Sequence, residues 1–467
     1  MNCAAKLDNF IHLSKTFANI FVFRLKFSNF ALIMRKNTHI YIMIIAIWFI
    51  SARMAAQVVG DPNEASTVHS AMTADQEDYD SIGCDTMVFV PTTGEQDYVF
   101  SAETLRRRID KLVEHPMFET SQLGMMVYDL TADSTLYTHG HRQLLRPAST
   151  MKLITAIATI DKLGGSYQFR TSLYYTGKID SGTLSGDVYC VGGFDPRFNA
   201  DDLKAFVDGI KSMGVDTIRG RILADRTMKD SDTLGEGWCW DDDNPVLSPL
   251  LVSRKDLFLS RFLQELRESN IVVEASTGEA PLPNGAFIVC TRFHSIDQIL
   301  MRMMKDSDNL YAESMFYQLA ASTGERPAKA KHARREIARL IEKVGLKPSN
   351  YKIADGSGLS LYNYVTPELE VALLRYAYRN PDIYIHLYPS LPIAGEDGTL
   401  KRRMRGGFAS GNVHAKTGTL TCITSLAGYC TAPNGHVLAF SIINQGVIHD
   451  SNGRSFQNRV CEAMCKP

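Results

Sequence analysis

The segment PASTMKLITAIATIDKLGG, residues 147–165, constrains the fold of this chain more than any other. Pro147 suits the start of a helix, and the pair Gly164-Gly165 suits its end. The helix is apolar on most of its surface, which indicates a position inside a core. Ser149 and Lys152 nevertheless lie in its predicted first turn, three residues apart and therefore on one face.

A serine beside a buried lysine is one way to make a nucleophile. Burial lowers the pKa of a lysine because water no longer stabilises its ammonium group, and the neutral amine can then accept the serine proton. Ser-x-x-Lys is a short pattern, however, and a chain of this length holds about one copy by chance. A second copy, Ser349 to Lys352, follows Pro348 and predicts a turn into a strand. Alone, the pattern does not distinguish a nucleophile from a serine that caps a helix.

Two further motifs change that assessment. Ser307-Asp308-Asn309 lies downstream, and Lys416-Thr417-Gly418-Thr419 follows it. A competing Ser-x-Asn, Ser410 to Asn412, is too close to Lys416 to form a separate wall of a cleft. The three motifs occur in this order in class A β-lactamases and penicillin-binding proteins. The sequence therefore resembles the penicillin-recognising serine transferases.

The N-terminal hundred residues are not expected to join the fold. Residues 34–56 have a basic start, an apolar run and small residues, which predicts a signal peptide cleaved near Gln57. An uncleaved membrane anchor is the alternative. If the signal peptide begins at Met34, residues 1–33 are an upstream extension and Met34 is the true start of the protein. Residues 57–100 contain no Lys or Arg and predict an acidic, flexible linker.

Export to an oxidising periplasm makes disulfides an option, because eight cysteines follow Cys3. Their spacing does not determine a pairing. No cysteine has a zinc-ligand spacing with histidines, so we predict no metal and no cofactor. The net charge of −1 gives no reason to expect nucleic-acid binding.

The remaining chain divides into three blocks. Residues 101–165 and 291–467 alternate helices with strands, and they predict an α/β (α+β) catalytic domain with an antiparallel sheet flanked by helices. Residues 166–290 contain short β-type runs, with one amphipathic helix near 201–213, and predict an inserted β-rich domain. None of the three motifs lies in this insert, so we expect it to determine substrate fit rather than chemistry.

The predicted elements place the motifs. Ser307 lies on the connection between helices 296–304 and 310–321, and Lys416 lies on a strand over 413–420. Strands 423–431 and 436–444 form a hairpin around Pro433-Asn434-Gly435, and a last helix covers 455–465. Helices are also expected at 328–344 and 367–379, and Ser101 can cap a first helix that Pro116 stops.

The spacing of the motifs refines the resemblance. Ser149 and Ser307 lie 158 residues apart, and such a long insertion is similar to class C low-molecular-mass penicillin-binding proteins. These are the D-alanyl-D-alanine carboxypeptidases/endopeptidases of peptidoglycan metabolism. Four segments within residues 101–467 carry further resemblance: 147–153, 186–196, 355–360 and 395–400.

The resemblance implies a catalytic role for three residues. Ser149 attacks the carbonyl between the two terminal D-alanines and becomes acylated. Lys152 is the base for acylation, and Ser307 relays protons between the lysine and the leaving amine. The backbone N–H groups of Ser149 and Thr419 form the oxyanion hole.

Five residues are implied in substrate binding. Asn309 binds the peptide amide of the substrate, and Lys416 supplies positive charge near its terminal carboxylate. Thr417 and Thr419, which flank Gly418, donate hydroxyl hydrogen bonds. The expected partners are peptidoglycan peptides, with β-lactams as covalent inhibitors; peripheral association with the cell wall or membrane stays open.

Two alternatives remain. A β-lactamase would use the same scaffold, but class A enzymes deacylate with a glutamate. The Glu-x-x-x-Asn pattern that carries it is absent between Asn309 and Lys416, where Glu368 is followed four residues later by Ala372. A non-catalytic β-lactam-binding sensor is disfavoured because all the motif residues are intact.

Overall fold

The computed structural model describes residues 100–241 and 243–467. The predicted upstream extension, signal peptide and all but the last residue of the predicted linker lie outside the described residues. Within the described residues, no helix combines the length and apolar character needed to cross a membrane.

A five-stranded sheet forms the centre of the fold, and all its pairings are antiparallel. Its strands are β1 (Gln122–Asp129), β2 (Ser134–His139), β10 (His414–Leu420), β11 (Ile423–Thr431) and β12 (Val437–Gln445), in the order β10-β11-β12-β1-β2. β11 and β12 are buried along nearly their whole length, as expected for central strands with helices on both faces. The predicted hairpin at Gly435 joins them, and this glycine has φ +82°.

The first and last helices cover one face of this sheet. These are α1 (Ala102–Val113) and α10 (Asp450–Cys465). Ser101 caps α1 by accepting a hydrogen bond from the backbone N–H of Thr104, as its sequence position predicted. α10 begins five residues earlier than predicted. Their apolar faces pack on the sheet side chains in one continuous core.

The opposite face carries a layer of six helices: α2 (Met151–Leu163), α5 (Ile296–Lys305), α6 (Asn309–Ala321), α7 (Ala330–Lys343), α8 (Pro367–Arg379) and α9 (Pro381–Ser390). Of these, only α9 was not predicted. α2 and α6 are buried on nearly all sides, which explains why their sequences lack a polar face. The fold class predicted from the sequence is confirmed.

The insert forms a second sheet of seven strands: β3 (Gln168–Tyr175), β4 (Lys178–Asp180), β5 (Thr183–Ser185), β6 (Val188–Val191), β7 (Thr217–Asp225), β8 (Val272–Glu279) and β9 (Phe287–Ser295). Two helices belong to it, α3 (Ala200–Ser212) and α4 (Phe258–Glu268). The prediction of one helix was therefore wrong. β7 pairs in parallel with β6 and β8, and parallel neighbours need crossover connections, which α3 and α4 supply.

The second sheet ends at Ser295, beyond the predicted boundary at residue 290. Its helices enclose an aromatic core of Phe198, Phe206, Phe258 and Phe262. Other side chains of the insert, among them Trp238, are buried instead in the main core of the catalytic helices.

Candidate active site

Ser149 occupies a tight turn directly before α2. Residues Ala148–Thr150 form a 3₁₀ turn, and the α-helix begins only at Met151. The sequence placed Ser149 inside the first helical turn, so its position along the chain was right and its local conformation was not. Ala148 has φ +49°, a left-handed conformation that turns the chain sharply before the serine.

Lys152 lies in the first turn of α2 and is 0% exposed. Its Nζ lies 2.9 Å from Ser149 Oγ, 2.8 Å from Asn309 Oδ1 and 2.7 Å from the carbonyl oxygen of Ser357. Burial lowers the pKa of Lys152 to about 8, against the opposing charges of Asp355 and Glu313.

The identity of these partners determines what the amine can do. The amide oxygen of Asn309 and the carbonyl of Ser357 can only accept hydrogen bonds, whereas the hydroxyl of Ser149 can donate or accept. A neutral amine has two N–H donors and one lone pair. The ammonium form of Lys152 donates to all three partners, including Ser149 Oγ. In the neutral form, two donors directed to the two acceptors leave the lone pair for the Ser149 hydroxyl. This arrangement suits proton transfer from Ser149 to Lys152.

Ser307 lies between α5 and α6 with φ +58°. Its Oγ accepts a hydrogen bond of 2.8 Å from Lys416 Nζ. Asp308 caps α6 by accepting from the N–H of Leu310, and it also pairs with Arg302. The cap holds the left-handed turn, so Ser307 and Asn309 face the same cleft from two sides of one helix start.

Lys416 lies on the edge strand β10 and is fully buried. Its Nζ donates to Ser307 and, at 2.7 Å, to the carbonyl oxygen of Thr417. Burial and the charge of Lys152 hold the pKa of Lys416 well below its usual value. A bound anion would stabilise the ammonium form of Lys416 in this dry site and so raise its pKa again.

β10 passes very close to the turn that carries Ser149. A Cβ at Gly418 would lie 2.8 Å from both the backbone nitrogen of Ser149 and the carbonyl oxygen of Pro147, so only glycine permits this approach. Thr419 is exposed next to it, and the Thr417 hydroxyl donates to Thr399 at 2.8 Å. The structure thus brings all eight predicted site residues together.

The loop 355–360 is a part of the site that sequence reasoning missed. Its sequence carries part of the family resemblance, but it was given no role. Besides the Ser357 carbonyl on Lys152, the N–H groups of Gly356 and Ser357 donate to the buried carboxyl of Glu313. Glu313 lies one helical turn after Asn309 on α6, and that spacing was the available signal.

The second Ser-x-x-Lys copy and the competing Ser-x-Asn motif both lie outside the cleft. Ser349 is exposed in a 3₁₀ turn over Pro348–Asn350, and Lys352 pairs with Glu236 instead. Asn412 donates to the carbonyl oxygen of Thr431 at the edge of the sheet. Neither belongs to the cleft. The seven cysteines within the described residues are free thiols.

Comparisons with known proteins agree with this geometry. The model of the D-Ala-D-Ala carboxypeptidase 3 (S13) family matches residues 105–252 and 249–464. A D-alanyl-D-alanine carboxypeptidase of Actinomadura sp. (strain R39) is 28% identical, over 73% of this chain and 81% of the relative. The D-alanyl-D-alanine carboxypeptidase DacB of Haemophilus influenzae is 26% identical, over 69% and 85% of the two chains.

A solved structure shows the same fold. Penicillin binding protein 4 from Haemophilus influenzae superimposes with a TM-score of 0.69 at 23% identity, covering 78% of this chain and 98% of that chain. The family model spans both parts of the catalytic domain and the insert between them. The chain therefore belongs to the D-Ala-D-Ala carboxypeptidase 3 (S13) family.

Proposed function

We propose that Ser149 is the nucleophile of a serine-type D-Ala-D-Ala carboxypeptidase that acts on peptidoglycan stem peptides. The observation that carries this proposal is the environment of Lys152: a buried amine whose two acceptor partners leave its lone pair for Ser149. The family of the chain supports the choice of substrate.

Acylation proceeds by attack of Ser149 Oγ on the carbonyl carbon between the two D-alanines. The hydroxyl proton moves to Lys152 Nζ, and the developing oxyanion is bound by the N–H groups of Ser149 and Thr419. The C–N bond then breaks as the leaving amine takes up the proton that Lys152 received, with the Ser307 hydroxyl as the relay. The hydrogen bond from Lys416 to Ser307 Oγ directs the Ser307 hydroxyl proton away from Lys416 and towards the leaving amine. Water hydrolyses the ester and restores Ser149.

Asn309 and Lys416 hold the substrate on either side of the scissile bond. The Asn309 oxygen accepts from Lys152, so its amide nitrogen is the group that donates to a substrate carbonyl. Lys416 faces the terminal carboxylate, whose negative charge compensates for the burial of the ammonium. Thr417 and Thr419 add hydroxyl donors, and Gly418 keeps the strand close enough to reach the substrate.

Two extensions follow from the same acyl-enzyme. A larger leaving amine, from a second stem peptide, makes the reaction an endopeptidase cleavage of cross-links. A β-lactam amide opened by Ser149 leaves an ester in the site, so β-lactams inhibit covalently. The family match favours a carboxypeptidase over a β-lactamase or a non-catalytic β-lactam-binding sensor.

Labelling with penicillin tests the assignment. Ser149→Ala should abolish the covalent adduct while the fold persists, and Ser349→Ala is the matched control that should keep it. Lys152→Ala should slow acylation by ~10²–10⁴-fold. Mass spectrometry of the digested adduct locates the ester. Label on the peptide that contains Ser349, or label retained in Ser149→Ala, would contradict the assignment.

We propose that the protein is exported to the periplasm after cleavage near Gln57, in keeping with a peptidoglycan substrate. The support is the basic and apolar pattern of residues 34–56. N-terminal sequencing of protein isolated from the producing cells tests it. Membrane-bound protein that still starts at Met34 would rule out cleavage.

A further inference from the structure

One segment of the insert contacts the loop that binds Lys152. The indole nitrogen of Trp238 donates a 2.8 Å hydrogen bond to Asp355 Oδ2. The neighbouring Glu236 carbonyl accepts from the Ser360 hydroxyl at 2.6 Å, and the Glu236 carboxyl pairs with Lys352. Trp238 is 8% exposed and packs in the main core. The insert thus contacts both ends of loop 355–360, at Asp355 and at Ser360.

Asp355 is the main hydrogen-bond acceptor of this loop. Its two carboxyl oxygens accept four hydrogen bonds, from the N–H groups of Gly358 and Ser360, the amide of Asn363 and the indole of Trp238. Three of these donors belong to the loop and its flank, and Trp238 alone comes from the insert. A buried carboxyl depends on such donors, because each lost donor leaves desolvated charge uncompensated.

The loop in turn orients the catalytic amine. Ser357 lies between Asp355 and Gly358, and its carbonyl receives one N–H of Lys152 at 2.7 Å. Movement of that carbonyl would release one of the two donors of Lys152 and let the lone pair rotate away from Ser149. The contact chain from Trp238 to the nucleophile therefore runs through three residues, all of which are buried.

We propose that Trp238 is a positioning residue for acylation: its indole N–H holds Asp355, and thereby the Ser357 carbonyl that orients Lys152 towards Ser149. The proposal rests on the proposed role of Ser149 and Lys152. It also gives the insert a part in the chemistry, whereas its sequence suggested substrate fit alone.

Charged groups face Lys152 from each neighbouring element. Asp355 lies on the loop, Glu313 on α6, Asp308 at the N-cap of α6, and Lys416 on β10. The carboxylates stabilise the ammonium form of Lys152, and so does the Ser357 carbonyl. Loss of that carbonyl therefore lowers the pKa of Lys152.

The test compares two tryptophans two positions apart. Trp238→Phe keeps an aromatic ring and removes the N–H donor, while Trp240→Phe changes a side chain that is 85% exposed. The readout is the acylation rate with a chromogenic penicillin between pH 5 and 10, normalised to the active-site concentration. Trp238→Phe should lower the plateau rate by about tenfold. It should also move the acidic limb of the pH–rate profile to lower pH. Trp240→Phe should change neither the plateau rate nor the acidic limb.

Two further variants keep the test decisive. If Trp238→Phe folds poorly, benzothienylalanine at position 238 replaces the N–H by sulfur in a ring of nearly the same shape. Asp355→Asn should show strong non-additivity with the Trp238 change and none with Trp240→Phe. Equal rates and equal acidic limbs for both tryptophan variants would overturn the proposal. Failure of the wild type to label at Ser149 would instead overturn the proposed function.

Discussion

Gly358 offers a direct test of how closely Ser149 and Lys152, the proposed nucleophile and its base, are packed. It follows Ser357 in the loop, has φ +82°, and faces the carbonyl of Ala148, the residue before Ser149. A Cβ at this position would overlap the Ala148 oxygen and lie 2.9 Å from the Cβ of Met151. Gly358→Ala should therefore force either the Ser149 turn or the Ser357 carbonyl to move.

The expected loss has two parts. A left-handed alanine costs about 1–2 kcal/mol of stability in any context. The overlap also displaces either the Ser149 turn or the Ser357 carbonyl by about 1 Å. A misplacement of that size costs on the order of 10²-fold in acylation rate. We expect a total stability loss of about 3 kcal/mol or more, together with a 10²-fold slower acylation.

Gly345 provides the matched control. It also has φ +82°, but no described atom lies within 4 Å of a Cβ built there. Gly345→Ala should thus show the backbone cost of about 1–2 kcal/mol and normal acylation. Urea unfolding gives the stabilities, and stopped-flow acylation gives the rates. If Gly358→Ala acylates as fast as Gly345→Ala, the packing of the loop against the Ser149 turn does not matter for catalysis.

Two other predictions concern pH. Burial lowers the pKa of Lys152 to about 8, so the neutral amine becomes more abundant as the pH rises towards that value. The second-order rate constant of acylation should therefore rise about tenfold per pH unit from pH 6 towards 8. A flat pH–rate profile would exclude Lys152 as the base. Burial raises the pKa of Glu370 from 4.5 to about 7, so the folded state keeps a proton that the unfolded chain releases, and stability falls as the pH rises through that window. Glu370→Gln should remove this dependence and stabilise the protein by roughly 3 kcal/mol at pH 8 but not at pH 4; thermal unfolding at both values decides it.

The elements that the sequence predicted well are those with local determinants. Ser101 before α1, Pro367 at the start of α8 and Gly435 in the hairpin act through their immediate neighbours, so their effect is visible in a short window. α4 was missed although its buried residues repeat every four positions. Its surroundings are β-type, and the parallel pairing that requires a helix there is a relation between distant strands.

The chemistry of the site was also encoded locally. The three motifs name the proposed nucleophile, its proposed base, the second serine and the lysine of the edge strand, because each proposed role needs a particular side chain. The order of the motifs also favoured Ser149 over Ser349, which follows Ser307-Asp308-Asn309. What only folding supplied is the partner of each lysine: Lys152 contacts Ser149, whereas Lys352 pairs with Glu236.

Tertiary structure alone decided how the base is oriented. Lys152, the loop that carries Asp355 and Ser357, and the Trp238 indole come from three distant parts of the chain and meet at this site. Hydrogen-bond direction and loss of water determine the pKa and lone-pair direction of Lys152, and both depend on groups that the sequence separates by more than a hundred residues. The sequence by itself therefore determined which residues form the candidate site, and the packed fold determined how Lys152 is held against Ser149, the arrangement on which its proposed role as a base rests.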